Sequence, residues 1–472
     1  MTFMMTLRQA GEWTPGSQLR GSGEVELSRV HTDTRTLLPG DLFVALKGDR
    51  FDGSQFLQQA RAKGACAAIC QAEAAEALTA SGLPGLLVSD ARVALGALAA
   101  NWRRQFDLPI IAVTGSNGKT TVTQMIGAIL TTWKGERALV TQGNFNNDIG
   151  VPLTLLKMRS THAVAVLELG MNHPGEIGYL AKLVQPTVGL VNNAQREHLE
   201  FMSSVEAVAR ENGSVLQSLG PTGVSVFPVE DACADLWTQY CAGKPRLLFA
   251  FGPATSRADV HGRGVFSGDG WQLEVNTPQG NLAVQLKMAG RHNAHNAMAA
   301  ISAALAVHVP LEIVRAGLES FRPVAGRSRA STIRVAGHDV VLVDDAYNAN
   351  PDSVRAAIDL LSELPSPRLL VLGDMGEVGE NGSEMHREVG EYARLKGIDH
   401  LFALGSLSKL ACQAFGSARH FDDQATMIAS LAKELGGVGS VLVKGSRFMG
   451  MERVVRAVEN MAGQNRGENH AA

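Results

Sequence analysis

The stretch Leu108-Pro-Ile-Ile-Ala-Val-Thr-Gly-Ser-Asn-Gly-Lys-Thr-Thr121 decides the fold. Its first half is a short apolar run rich in β-branched residues, the pattern of a parallel strand buried on both faces. The second half is a glycine loop, and a helix is predicted over Val122 to Thr132. Glycine lets such a loop curl so that successive N–H groups converge on an anion, and the helix N-terminus adds positive potential. Lys119 is suited to β/γ-phosphates and the Thr120 hydroxyl to Mg²⁺. The longer pattern G-x-x-x-x-G-K-[ST] would need glycine at Val113. The form present is G-x-x-G-K-T over 115–120. Gly115, Ser116, Asn117, Gly118, Lys119, Thr120 and Thr121 are therefore the candidate ATP loop.

Two more buried strands are predicted outward from this point, Ala163 to Leu169 and Thr187 to Asn192. Glu168 closes the first and His198 follows the second. Ligands of α/β sheets sit at these strand ends, and a triphosphate needs a metal with oxygen or imidazole ligands. Upstream, short strands (Leu42 to Leu46, Leu86 to Val88) mix with helical stretches (Phe56 to Lys63, Ala91 to Arg104). Downstream, Pro221 to Gln285 has a weaker pattern with hairpin-like clusters near Gly262 to Gly270. Beyond about Phe321, strands at 340–343, 369–372, 401–404 and 441–443 alternate with helices at 352–364, 384–395 and 423–435. That alternation means βαβ units. The expectation is an α/β protein of three domains: a mixed α/β domain over 1–107, a P-loop ATPase-like parallel sheet over 108–321 and a Rossmann-like domain over 322–460. A polar tail, 461–472, is expected to fray.

Composition narrows the classes. The chain has 472 residues, 43 Lys+Arg against 46 Asp+Glu, and net charge −3. That balance lacks the basic excess of a nucleic-acid binder. With 45% hydrophobic and 19% charged residues it is not a disordered chain. Five cysteines without a CxxC pair argue against a disulfide framework or zinc ribbon. The N-terminus has no apolar signal region, and the apolar stretch Ala297 to Val307 is too short to span a bilayer. A monomeric cytoplasmic protein without membrane association is expected.

The motifs taken in order resemble the Mur ligases, ATP-dependent amino-acid ligases of peptidoglycan precursor synthesis. Thr32-Asp-Thr-Arg35, Pro39 to Gly48 and Phe51-Asp-Gly53 resemble the family's uridine-nucleotide domain. The loop at 114–121 matches its ATP loop, and Gly290-Arg-His-Asn-Ala-His-Asn296 matches its G-x-H-N-x-x-N segment. Gly143 to Pro152, Asp345 to Pro351, Gly373 to Glu377 and Lys444-Gly-Ser-Arg447 with Met451-Glu452 resemble the branch that adds D-alanyl-D-alanine.

The resemblance implies ATP and Mg²⁺ as cofactors, and UDP-MurNAc-tripeptide and D-Ala-D-Ala as partners, joined through an acyl phosphate. It implies catalytic Lys119, Glu168 and His198, with Thr120, Glu168 and His198 on metal. Asn293 and Asn296 would lie near adenine and ribose, Arg327 would reach ATP phosphates, and Asp345 would face the nucleotide or an inter-domain lysine. Asp33, Thr34, Arg35 and Lys47 would bind the uridine diphosphate. Asn144, Asn146 and Asn147 would contact substrate, and Asn348, Asn350, Lys444 and Arg447 would line the dipeptide side. Many members carry a CO₂-modified lysine after the histidine. Asn212 stands there in this chain, and asparagine forms no carbamate. Glu211 or Glu197 is the neighbour able to restore the missing charge.

Two other readings compete. One is a relative that adds the third stem residue, or a folylpolyglutamate synthase. The first should show an Asp-Asn-Pro-Arg run that is absent here, and the second lacks a uridine-type domain. The other is a nucleotide-gated binding protein without ligase chemistry.

Overall fold

The computed structural model describes residues 3–48, 51–253, 257–267 and 270–467. Three larger sheets follow one another along the chain. The first has five strands in the spatial order Gln18–Arg20, Gly85–Val88, Ala67–Gln71, Asp41–Val44, Arg29–His31. All its pairs are parallel except the one at Gln18–Arg20.

The second sheet has nine strands. Its order is Ala138–Val140, Val164–Glu168, Ile110–Thr114, Val188–Val191, Val224–Pro228, Arg246–Phe251, Val260–Ser267, Gly270–Thr277, Gly280–Leu286. The first seven run parallel, the eighth runs against them, and the ninth, antiparallel to the eighth, runs with them again. Ile110–Thr114 is an interior strand, third in this order, and from it the chain first goes to the near edge and later to the other side. Such a reversal opens a crevice at the strand C-termini. Its five residues are fully buried, as the unbroken apolar run requires. The weak-pattern region thus completes this sheet, with a hairpin whose tip, Gly268 and Asp269, lies outside the described residues.

The third sheet has six strands in the order Arg329–Val335, His338–Asp345, Ser440–Lys444, Arg368–Gly373, His400–Leu404, Arg419–Phe421. Only the first pair is antiparallel. The final helix, Glu452–Gly467, runs into the segment expected to fray. Residues 468–472 lie outside the described residues. No described helix is long and apolar enough to cross a membrane.

The helix Ala91–Arg103 joins the first sheet to the second. Its Leu95, Leu98, Ala99 and Trp102 share one buried cluster with Ile110, Ala112 and Leu180. Arg103 is buried and donates to the carbonyls of Val184, Phe106 and Gln185. A cation at the end of the helix Glu176–Val184 satisfies carbonyls that the helix leaves open.

Arg196 docks the third sheet onto the second. Its guanidinium forms two-toothed pairs with Asp352 and with Glu388, at 2.6 Å in each case. Arg355 shares Glu388. Both carboxylates hold the Arg196 guanidinium well above its usual range. We predict that Arg196→Ala enlarges the ligand-free radius of gyration measured by small-angle scattering. An unchanged value would contradict this docking role.

His386 is fully buried under the segment that carries Met375. The Met375 N–H donates to its Nε2, so Nδ1 carries the proton and donates to Gly382 O. Burial pushes this imidazole below its usual 6.5. A lowered histidine favours the neutral form in the fold, so its stability contribution is complete above pH 6.5. The contribution is lost as pH falls from there toward the folded value. Thermal unfolding should show a falling midpoint in that window, and a shallower fall in His386→Gln.

Candidate active site

The glycine loop sits in the crevice at the centre of the second sheet. Gly115 and Gly118 take left-handed backbone, with φ of 134° and 79°. A Cβ at Gly118 would lie 2.5 Å from Asn296 Oδ1, so only glycine fits. The Gly115 N–H donates to Asn212 Oδ1 at 3.0 Å. The Ser116 N–H donates to Asn193 O and the Asn117 N–H to Asn193 Oδ1. The Asn117 carbonyl accepts from the side chains of Asn192 and Asn193. Behind this layer Asn192 donates to Asn296, Asn296 to Asn293, and Asn293 to Ala289 O. The helix that follows, Lys119–Lys134, has no side-chain cap. Its first N–H groups are left to receive an anion.

Lys119 folds back over its own loop. Its ammonium donates to Gly115 O at 2.6 Å, Ser116 O at 3.0 Å and Glu197 Oε1 at 2.5 Å. Glu197 is buried, and burial raises its carboxyl above the usual range despite Lys119. His198 Nε2 lies 3.6 Å from Glu197 Oε1. His198 Nδ1 lies 2.8 Å from Glu377 Oε2, outside hydrogen-bond geometry. His198 holds Glu377 below the usual carboxylate range. His198 also has φ of 49°, uncommon for a residue with a side chain. Asn146 donates to Glu168 Oε1 at 2.8 Å, leaving Oε2 without a hydrogen-bond partner.

The opposite wall comes from the third sheet. Asp345 and Lys444 are register partners on adjacent parallel strands. They meet at 2.5 Å, and Lys444 also donates to Asn348 O. Arg327 lies over the Tyr347 ring at 4.1 Å, and Arg447 approaches the same ring at 5.4 Å. Asn350 donates to Asn117 Oδ1 at 2.9 Å, so the two walls touch at the loop. Together they enclose about 1210 Å³.

This cavity gathers most of the residues expected from sequence. Ser116 to Thr121, Asn144, Asn146, Asn147, Glu168, His198, Asn293, Asn296, Arg327, Asp345, Asn348, Asn350, Lys444 and Arg447 all line it. Asp33, Thr34, Arg35 and Lys47 do not; they belong to the first sheet's surroundings. There Arg35 closes on Asp33 at 2.7 Å and holds that carboxyl down at about 2. Thr34 donates to Gln59, and Lys47 stands exposed on a short hairpin.

Several expected contacts are occupied by the protein itself. The lysine facing Asp345 is Lys444 of the same sheet, not one from another domain. Asn293 and Asn296 brace the phosphate loop through bonds to each other and to Asn192. Asn147 caps the helix Gly150–Leu155 through the Ile149 and Gly150 N–H groups. Asn350 caps Pro351–Ser362 besides gripping Asn117. Glu211 is excluded as the compensating charge. Its two oxygens accept from Gly175 and Ile177 N–H groups at the start of another helix.

Sequence reading missed Arg92, Asp148, Glu377, Asn193, Gln195 and Tyr347, which also line the cavity. Arg92 and Asp148 pair at 3.2 Å across 56 positions, and no local pattern marks such a pair.

Comparison with known proteins agrees with this arrangement. Three family descriptions match: Mur ligase family catalytic domain over residues 26–103, Mur ligase middle domain over 113–304 and Mur ligase glutamate ligase domain over 328–447. The chain belongs to the Mur ligase family. A UDP-N-acetylmuramoyl-tripeptide–D-alanyl-D-alanine ligase of Escherichia coli (strain K12) is 39% identical, covering 96% of this chain and 98% of its own. The protein of that name from Haemophilus influenzae is also 39% identical, over 94% and 96%. A crystal structure of MurF from Acinetobacter baumannii matches with TM-score 0.86 at 34% identity, covering 96% of this chain and 98% of its own. MurF from Thermotoga maritima in complex with ADP matches with TM-score 0.80 at 26% identity, over 93% and 98%.

Removing Lys119 leaves Glu197 buried without its cation, which typically costs about 3–5 kcal/mol. We predict that Lys119→Ala lowers the thermal midpoint and that adding Glu197→Gln recovers part of the loss. The same Lys119→Ala should cut turnover about a thousandfold or more, the scale for removing a group that stabilises developing charge. Binding of the uridine substrate, measured calorimetrically, should stay close to wild type.

Proposed function

We propose that this chain joins D-alanyl-D-alanine to UDP-MurNAc-tripeptide at the expense of ATP, as a ligase of peptidoglycan precursor synthesis. The observation that carries the reading is one cavity with the glycine loop and Lys119 on one wall and Lys444, Arg327 and Arg447 on the other. The relatives named above share this chain's length almost completely, and two of them carry that reaction in their names.

The chemistry explains the residues. A carboxylate is a poor acyl donor because its leaving group would be oxide or hydroxide. A carboxylate oxygen of the tripeptide attacks the γ-phosphorus, and ADP departs. The amine of D-Ala-D-Ala attacks the resulting acyl carbon, and phosphate departs with that oxygen. The uncapped N-terminus of Lys119–Lys134 receives the phosphates. The Lys119 ammonium turns from Glu197 to offset charge in transfer. Arg327 reaches the nucleotide from the second wall. Arg447 and Asn348 stand on the side left for the dipeptide. Asp33, Thr34, Arg35 and Lys47 hold the uridine diphosphate on the first sheet, which makes 1–107, 108–321 and 322–460 the uridine, ATP and dipeptide domains.

The donors near the loop fit Mg²⁺. Thr120 offers a hydroxyl, Glu168 a buried oxygen without a hydrogen-bond partner, and His198 an imidazole nitrogen. Among the described residues no three His, Cys, Asp or Glu are grouped to hold an ion unaided. Mg²⁺ commonly takes one or two carboxylates and completes its shell with phosphate oxygens and water. When bound, it neutralises charge between the approaching anionic oxygens. We place the enzyme in the cytoplasm as a monomer, in keeping with five free cysteines, three of them buried.

Phosphate release tests the reading. It should require both UDP-MurNAc-tripeptide and the dipeptide, with the pentapeptide product found by mass. Release that proceeds equally without the dipeptide would contradict it. Running tripeptides ending in lysine and in meso-diaminopimelate side by side identifies the natural third residue.

A further inference from the structure

Glu197 is only 8% exposed, yet one of its oxygens, Oε2, has no hydrogen-bond partner. A buried carboxylate oxygen left bare is costly, and native structures keep few of them. Its other oxygen binds Lys119, the group that must move for phosphate transfer. Once Lys119 turns to a phosphate, Glu197 would be a buried anion with no cation at all. His198 Nε2 is 3.6 Å from its Oε1, while the imidazole's Nδ1 faces Glu377 at 2.8 Å. Both side chains line the same cavity as Glu168, whose Oε2 is equally bare. Two bare buried carboxylate oxygens and an imidazole on one cavity wall point to a ligand of positive charge.

We propose that Glu197 is a ligand for a divalent cation beside His198, taking the cation as Lys119 leaves. Glu197 thus has two partners in turn. Without nucleotide it holds Lys119 against the loop. With nucleotide it exchanges the ammonium for a cation that also contacts phosphate, so the buried carboxylate is neutralised in both states. Asn212 brings no charge to this wall: its amide is neutral, and its Oδ1 accepts from the Gly115 N–H. Among the described residues the other carboxylate paired with His198 is Glu377, from the third sheet, so the cation would also see whether that wall has docked. The inference rests on reading the cavity as a nucleotide site.

Mn²⁺ serves as the probe, with a non-hydrolysable ATP analogue, and free Mn²⁺ is followed by electron paramagnetic resonance. Wild type should retain Mn²⁺ in the presence of the analogue; failure to do so would overturn the nucleotide reading and this inference with it. Glu197→Gln should weaken the tightest affected Mn²⁺ site at least tenfold while its melting curve stays cooperative. Glu197→Asp should keep most of the affinity. Glu197→Cys should shift preference from Mn²⁺ toward Cd²⁺, since thiolate favours the softer ion. A residue that only positions Lys119 would leave metal preference unchanged. Wild-type Mn²⁺ affinity in Glu197→Gln, or no Cd²⁺ shift in Glu197→Cys, would overturn the proposal.

Discussion

Everything at the site depends on how the peptide groups of Gly115, Ser116 and Asn117 are held. Asparagines from three other segments, Asn192–Asn193, Asn212 and Asn350, bond this loop or its side chains. A single neutral hydrogen bond contributes only about 1 kcal/mol net. A buried network is different, because each missing partner exposes another unsatisfied group. The amides therefore fix the loop open as a set. With those N–H groups already engaged, the anion site moves to the uncapped helix start at Lys119–Thr121. Lys119 waits beside it, held by Glu197.

The same loop is where the third sheet reports its position. Asn350 meets Asn117 while Arg196, two residues before His198, pairs with Asp352 in the helix that Asn350 caps. Docking and site assembly are thus one event in this chain. Chemistry is kept from water only when both walls are present. The first sheet is attached differently, through a shared apolar cluster and the buried Arg103. That attachment is firmer than a set of partly exposed ion pairs, so the third sheet is the part expected to move.

Much of this was legible in the residues because buried parallel strands are continuous apolar runs. Ile110–Thr114, Val188–Val191 and Ser440–Lys444 read that way. Arg329–Val335 was not recognised, because as an edge strand it alternates half-buried and exposed positions and carries two arginines. Lys119, Glu168 and His198 were found from a loop motif and from strand ends. Glu377, Arg92 and Asp148 were not, since their partners are distant in sequence. Asn147 and Asn350 were assigned to substrate, although Asn350-Pro351 is also a helix-start signal. Asparagine serves both purposes, and only the bonds formed tell them apart.

The central claim is that this one cavity activates a carboxylate by phosphoryl transfer before the amine attacks. Carboxylate labelling tests it most directly. UDP-MurNAc-tripeptide is prepared with ¹⁸O in its terminal carboxylate, turned over with ATP and D-Ala-D-Ala, and the released phosphate is weighed by mass spectrometry. The account predicts that each phosphate carries one carboxylate oxygen. Phosphate free of label, alongside normal product, would contradict it.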